Sequence, residues 1–271
     1  MRIGSRGIAH IKLSIRTVVE VLSSLGITES EIDAPIICTS ETVELGRTPG
    51  GYIFHFNQKA LQVDALLLVN RVKPYTSSHG EIKSGLYKMA VIGLGNAMGA
   101  KCMHSYGYGF FPRLIPGMAR EISERTKIIG GIALVENDSG DLKHVEFLSK
   151  EVLIKREKEL LKMARDSMPR LPFKDIDILI IKEMGKCYSG TGMDTNVIGR
   201  YGIEGVEDPK EPKIKRIVVL KLADSSHGNA TGIGLADIIT KRVFEGIDCE
   251  KTYKNVMAIR CLRRGMIPLI A

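Results

Sequence analysis

The sequence predicts an α/β protein made of two α/β domains whose sheets contain mostly parallel strands. The first observation is length, because 271 residues are enough for one large core or for two domains. The second is the alternation of short apolar runs, typical of buried strands, with stretches of helical period. The third is a proline-containing break at residues 169–172, which separates a first domain, residues 1–168, from a second, residues 169–271.

The composition is that of an ordinary globular protein, with 44% hydrophobic and 26% charged residues. No apolar run approaches the roughly 20 residues that a membrane-spanning helix needs, and residues 1–16 lack the apolar core of a secretory signal. The five cysteines form no CxxC pair, which argues against a zinc ribbon or a disulfide framework. We therefore expect a cytoplasmic protein with no membrane partner.

The net charge of +8 is spread along the chain and indicates a general affinity for anions. Aromatic residues make up only 6% of the sequence, tryptophan is absent, and no nucleic-acid-binding motif occurs. We therefore expect no nucleic-acid partner.

The first domain reads as a helix, a hairpin and then alternating helices and strands. A helix is expected where apolar residues recur at helical spacing, with Gly26 as its stop. The turn signal Thr48-Pro49-Gly50-Gly51 predicts a hairpin, because Pro fixes φ and Gly supplies positive φ. The expected elements are a helix at 11–25, strands at 43–45 and 52–56, a helix at 57–63, a strand at 64–70, an amphipathic helix at 111–124, a buried strand at 128–136, a strand at 145–148 and a charged helix at 149–168.

The second domain repeats the pattern of a strand that delivers a polar loop. A buried strand at 176–181 leads into a loop at 183–201 that is rich in glycine and polar residues. The remaining expected elements are an exposed linker at 208–215, a strand at 217–222, a loop at 227–234 and a helix at 235–244.

The most informative stretch is residues 70–104, where an apolar strand gives way to a turn containing Ser84, Gly85 and Lys88. In α/β folds, ligands bind where strands end in loops at their carboxyl ends. A lysine in such a turn can contact a phosphate, anchor a group covalently or simply lie at the surface, and the residue types leave all three open.

Residues 70–104, 182–201 and 227–238 together resemble the nickel-dependent lactate racemase family, with segments such as NRVKPYT, SGLYKMAVIGLG and HGNATGIGLADI. The resemblance implies an isomerase that racemises or epimerises a 2-hydroxy acid by hydride transfer to a nickel pincer nucleotide. This cofactor is a pyridinium mononucleotide whose two sulfur-bearing arms hold the metal. The implied partners are a small-molecule 2-hydroxy acid and the cofactor-synthesis enzymes, and a homo-oligomer is left open.

The resemblance also assigns roles to individual residues. Lys88, in the element that contains Ser84 and Gly85, is implied as the covalent tether of the cofactor, and His104 as the ligand to nickel. Arg6 corresponds to an arginine that contacts the cofactor or the substrate carboxylate. From residue type alone, a structural loop histidine is the favoured interpretation of His104, and Arg6 could be a surface residue.

The chain departs from the family pattern where proton transfer is expected. Tyr75 occupies the place of one proton-transfer histidine, and the turn that carries the second histidine has no counterpart. Tyr75 and His79 are the candidate catalytic residues in this chain, although a reference pKa near 10 makes tyrosine a poor base at pH 7. The second domain is expected to be incomplete relative to the family. The alternative is therefore a catalytically defective family member that acts as a binding protein.

The loops of the second domain contain further polar candidates. Asp194 and His227 could form an acid–base pair, and Gly190 and Gly192 could cradle a phosphate. Both glycines could equally serve as turn residues, since glycine is the default residue for positive φ.

Overall fold

A computed structural model describes residues 15–74, 85–106, 110–202 and 207–259. The helices are α1 (Ile15–Ser24), α2 (Glu29–Ile32), α3 (Leu86–Lys88), α4 (Asn96–Ser105), α5 (Phe111–Arg125), α6 (Leu153–Asp166), α7 (Lys241–Glu245) and α8 (Cys249–Ile259). The strands are β1 (Thr42–Arg47), β2 (Ile53–Asn57), β3 (Leu66–Arg71), β4 (Ile128–Glu136), β5 (Leu142–Ser149), β6 (Asp175–Ile181), β7 (Lys213–Val219) and β8 (Ile238–Ile239). The predicted α/β class is confirmed, because two of the three described sheets contain parallel pairs.

The strands β1 and β2 form the antiparallel hairpin that the turn residues predict. The amide of Gly51 donates a hydrogen bond to the carbonyl of Thr48 at 2.8 Å, and Gly51 has a φ of +80°. Glycine supplies this left-handed conformation without steric cost.

The main sheet of the first part has the order β3-β4-β5, with β3 parallel to β4 and β4 antiparallel to β5. One side of it packs against α3 and α6, which bring apolar residues such as Leu86 and Leu160 into the core. The predicted strand at 128–136 has the expected bounds, but only part of it is buried. Ile129 is exposed whereas its neighbour Ile128 is buried, because successive side chains lie on opposite faces of a strand.

The second sheet is parallel throughout, with the order β6-β7-β8. The expectation of a fully buried strand at 176–181 is wrong, because Ile178 and Ile180 of β6 are exposed. The expectation of a helix throughout 235–244 is also wrong. Ile238 and Ile239 pair with β7 instead, so that helix α7 begins only at Lys241. Pairing with a neighbouring strand overrides the helical pattern in this segment.

Several other elements differ from the sequence-based expectation in type or in bounds. The expected helix at 57–63 is a single 3₁₀ turn, Lys59–Leu61, and β7 begins inside the expected linker, at Lys213. The apolar run after Lys88 is a π-helical turn, Met89–Gly93. Helix α8 was not expected from the sequence.

The described residues contain two separate clusters of buried apolar side chains. The members of one come from residues 54–164 and those of the other from residues 184–243. The expected domain boundary at 168/169 lies between them and stays a prediction. Among the helices that the structure describes, none has the length and apolar character needed to cross a membrane.

Candidate functional site

The turn Gly85–Lys88 lies beside the carboxyl end of β3, where the fold class places ligands. The side-chain amide of Asn70, at the end of β3, donates a hydrogen bond to the carbonyl of Gly85 at 2.8 Å. Gly85 has a φ of +104° and a ψ of −154°, a conformation open essentially to glycine alone. The strand therefore fixes the start of the turn, and Lys88 follows three residues later.

The carboxyl group of Glu157, on α6, holds the same turn from the other side. Its Oε2 accepts hydrogen bonds from the amides of Leu86 at 2.8 Å and Tyr87 at 3.3 Å. These amides belong to the first turn of a helix, where N–H groups lack partners within the helix. A Cβ on Gly85 would lie 2.7 Å from Cδ of Glu157, so the carboxyl group occupies the space that a side chain would need.

Glu157 is only 2% exposed, and burial raises its pKa to about 8, against the opposing effect of the two amide donors. The carboxyl group is therefore mostly protonated at pH 7. The sequence contains a signal for it that was missed: Glu157 follows Leu153 by four residues and precedes Leu160 and Leu161 by three and four. This spacing puts it on the apolar side of a charged helix.

His104 lies in the last turn of α4 and not in a loop, so the expectation of a loop histidine is wrong. Its ring is 4% exposed and packs against Phe111, with ring centroids 5.2 Å apart and planes inclined by 45°. Burial and, to a smaller extent, the positive charge of Lys88 together lower the pKa of His104 to about 4. The imidazole is therefore neutral at pH 7, which is the form that binds metals.

Lys73 is another cationic group near Lys88, and the sequence patterns assign it no role. Removal of its ammonium group from water lowers the pKa of Lys73, and the charge of Arg71 adds to the effect, with a smaller contribution from Lys88. Arg71 itself forms an ion pair with Glu136 at 2.7 Å. Lys73 and His104 thus both sense the charge of Lys88, which brings the three side chains into one electrostatic neighbourhood.

A loop of the second part of the chain reaches the same neighbourhood. The carboxylate of Asp194 raises the pKa of Lys73, against the larger lowering effects. Asp194 Oδ1 also accepts a hydrogen bond from the amide of Asn196 at 2.9 Å. Within the described ranges, no hydrogen bond or ion pair joins Asp194 to His227, and their role as an acid–base pair stays a prediction. Gly192 has a φ of +74°, which accords with turn duty.

The second part also contains a group of buried polar side chains around Lys186. The ammonium of Lys186 donates to Oδ1 of Asn255 at 2.9 Å, and the amide of Asn255 donates to the hydroxyl of Thr231. Burial lowers the pKa of Lys186 to about 8. The sequence indicates a polar loop at 183–201 but marks no role for Lys186 within it. Its partner Asn255 lies on α8, the helix that was not expected.

The structure thus brings together Gly85, Lys88 and His104 among the residues chosen from the sequence. The other four candidates, Arg6, Tyr75, His79 and Ser84, lie outside the described residues, and their roles stay predictions.

Metal binding by the protein alone is not indicated in the part of the chain that the structure describes. That part contains no group of three or more His, Cys, Asp and Glu side chains able to hold a metal ion. A nickel pincer nucleotide would need fewer protein ligands, because the cofactor itself supplies carbon and sulfur ligands to the metal. One amine for the covalent link and one neutral imidazole for the metal would fit it, and Lys88 and His104 are such a pair.

Neither a scan against models of known protein families nor a search of curated proteins finds a match to this chain. The resemblance to nickel-dependent lactate racemases therefore depends on the sequence segments described above.

Proposed function

We propose that this protein is an isomerase of the cytoplasm that racemises or epimerises a 2-hydroxy acid with a nickel pincer nucleotide tethered to Lys88. The observation that carries the proposal is the electrostatic proximity of Lys88 and His104, since the charge of one lowers the pKa of the other. Such proximity is what a covalent tether and a metal ligand acting on one cofactor require.

Two properties of the pair favour this use. The backbone before Lys88 is held by Asn70 on one side and by Glu157 on the other, so the amine extends from a fixed turn. His104 is neutral at pH 7 and can offer a ring nitrogen to nickel, for which imidazole is a suitable ligand. Fixed geometry matters because a misplacement of about 1 Å can cost about a hundredfold in rate.

The other residues of the chain would bind anions and move protons. Lys73, close enough to sense the charge of Lys88, would attract the phosphate of the nucleotide or the carboxylate of the substrate. Arg6 is the second candidate for an anion contact. Tyr75 and His79 are the candidates for taking the hydroxyl proton and returning it. When bound, the cofactor would supply a hydride acceptor and donor, which protein side chains lack.

The experiment is co-expression with cofactor-synthesis enzymes, followed by intact-mass and peptide mass spectrometry. We expect a covalent adduct on Lys88 that disappears in Lys88→Arg and persists in Lys101→Arg, which changes an exposed lysine of α4. Folded protein without any adduct would overturn the proposal. Protein with the adduct should convert single enantiomers of 2-hydroxy acids, beginning with L-lactate, into mixtures detectable by chiral chromatography.

A binding function without catalysis is the second candidate, and it is favoured by Tyr75 in place of a proton-transfer histidine. In that case the adduct forms on Lys88, but single enantiomers remain unchanged. Tyr75→His then separates the candidates further, because restored turnover would identify the missing base as the cause.

A further inference from the structure

Glu157 is out of place in its helix. The other acidic and basic residues of α6 are exposed or half-buried, whereas Glu157 lies among the buried residues Leu153, Leu160, Leu161 and Ala164. Over the described part of the chain, no lysine or arginine pairs with it, and no charged side chain contributes to its pKa. Its Oε1 is buried without a hydrogen-bond partner among those residues.

A buried acid of this kind is a poor choice for stability alone. Burial of an acid costs free energy, and only two hydrogen bonds from backbone amides offset that cost here. The remaining role is visible in its contacts, which go to two backbone amides 71 and 70 residues away in the sequence. Those amides immediately precede Lys88 in the chain.

The contacts of Glu157 and Asn70 are complementary. Asn70 fixes the carbonyl of Gly85, and Glu157 fixes the next two amides, so both faces of the turn are tied to different elements. Gly85 lets the carboxyl group come this close, because any larger residue would collide with it. This short segment leads directly into Lys88, so these contacts fix the backbone from which the Lys88 side chain extends.

We propose that Glu157 is a positioning residue for Lys88: its carboxyl group holds the turn so that the Lys88 amine faces the candidate site. Its value for catalysis rests on the proposed function, but its effect on the amine can be measured without any cofactor.

The test is competitive labelling of lysines with trace acetic anhydride in the full-length protein, read by peptide mass spectrometry. The labelling of Lys88 is expressed relative to the exposed Lys101, so that changes in reagent concentration cancel. In Glu157→Asp the side chain is shorter by one methylene group, so its carboxyl oxygens lie farther from the amides of Leu86 and Tyr87. We expect relative labelling of Lys88 to change by up to about fivefold, because the loss of one hydrogen bond of about 1 kcal/mol shifts the equilibrium between the held and the released turn by about that factor.

Glu157→Gln serves as the rescue variant, because its amide oxygen can accept the same two hydrogen bonds. We expect its relative labelling of Lys88 at pH 7 to equal that of the unaltered protein. Glu159→Gln, at an exposed position of the same helix, is the matched control and should also leave labelling unchanged. Unchanged labelling in Glu157→Asp, or an equal change in Glu157→Gln, would overturn the proposal, because side-chain reach would then be irrelevant to Lys88.

Adduct formation separates this inference from the proposed function. If labelling follows the expected pattern but no variant acquires an adduct, the positioning role stands and the cofactor proposal fails. If all variants acquire the adduct at the same rate and label alike, the cofactor proposal stands and the positioning role fails.

Discussion

Each part of the chain removes an ionisable group largely from water, and the two groups respond in opposite ways. Glu157 in the first part is an acid whose pKa burial raises to about 8, and Lys186 in the second part is a base whose pKa burial lowers to about 8. Within the described residues neither forms an ion pair, since Glu157 accepts from two backbone amides and Lys186 donates to Asn255. At pH 7 the acid is mostly neutral and the lysine is mostly charged.

The difference lies in the partners and in what each group can do. Glu157 binds backbone amides, so it fixes the course of the chain and contributes no charge at pH 7. Lys186 binds the side chain of Asn255, so it keeps a positive charge in a polar surrounding. The first arrangement provides position, and the second provides a charge.

We expect the largest loss of stability when the space between Gly85 and Glu157 is filled by an added side chain. Gly85→Ala would place a Cβ 2.7 Å from the carboxyl group of Glu157 at a φ of +104°. Backbone strain and overpacking of this kind cost about 2–6 kcal/mol together, which urea denaturation would measure.

Gly117→Ala is the matched control for Gly85→Ala. Gly117 lies inside α5 with open space where its Cβ would be, so we expect a gain of about 0.5–1 kcal/mol from helix propensity. Equal effects of the two substitutions on the free energy of unfolding would show that the contact between Gly85 and Glu157 is not tight.

The next largest effect should be a pH dependence of the free energy of unfolding that is caused by protonation of Glu157. Its folded pKa of about 8 lies above the ordinary value of 4.5, so the folded state holds a proton that the unfolded state releases between these values. Stability contributed by this protonated group is present below pH 4.5 and is lost as the pH rises to about 8, by at most about 1.4 kcal/mol per pH unit. Glu157→Gln removes this loss, so its stability relative to the unaltered protein should rise with pH. A constant difference between the two proteins from pH 5 to 8 would contradict the raised pKa.

Lys186 should show a smaller dependence in a different pH range. Its folded pKa of about 8 lies below the ordinary 10.5, so the folded state binds fewer protons than the unfolded state between these values. Stability should therefore rise from pH 8 to about 10, by about 1 kcal/mol per unit or less because the side chain is partly exposed. Lys186→Met should abolish the rise in urea denaturation series, and a rise that persists in this variant would assign it to another group.

The sequence predicts the elements of the site better than it predicts the contacts between them. The sequence predicts three elements correctly: the strand that ends near Asn70, the amphipathic helix α5 and the hairpin. Each is marked by apolar spacing or turn residues within its own segment. The segment at 238–239 was missed because its pairing with β7 is not local. Glu157 was missed because its partners lie about 70 residues away, although its place among leucines marked it as unusual.

The smallest effect tests the central claim most directly, which is that Lys88 and His104 share one site. The titration of His104 can be followed by NMR among the six histidines, with its signal assigned by comparison with His104→Leu. In the unaltered protein we expect its pKa to be about 4. In Lys88→Gln the pKa should rise part of the way toward 6.5, because the nearby charge is lost while burial remains the larger cause. Lys162→Gln, at an exposed position of α6, should leave it unchanged. A pKa of His104 that does not respond to Lys88→Gln would contradict the account.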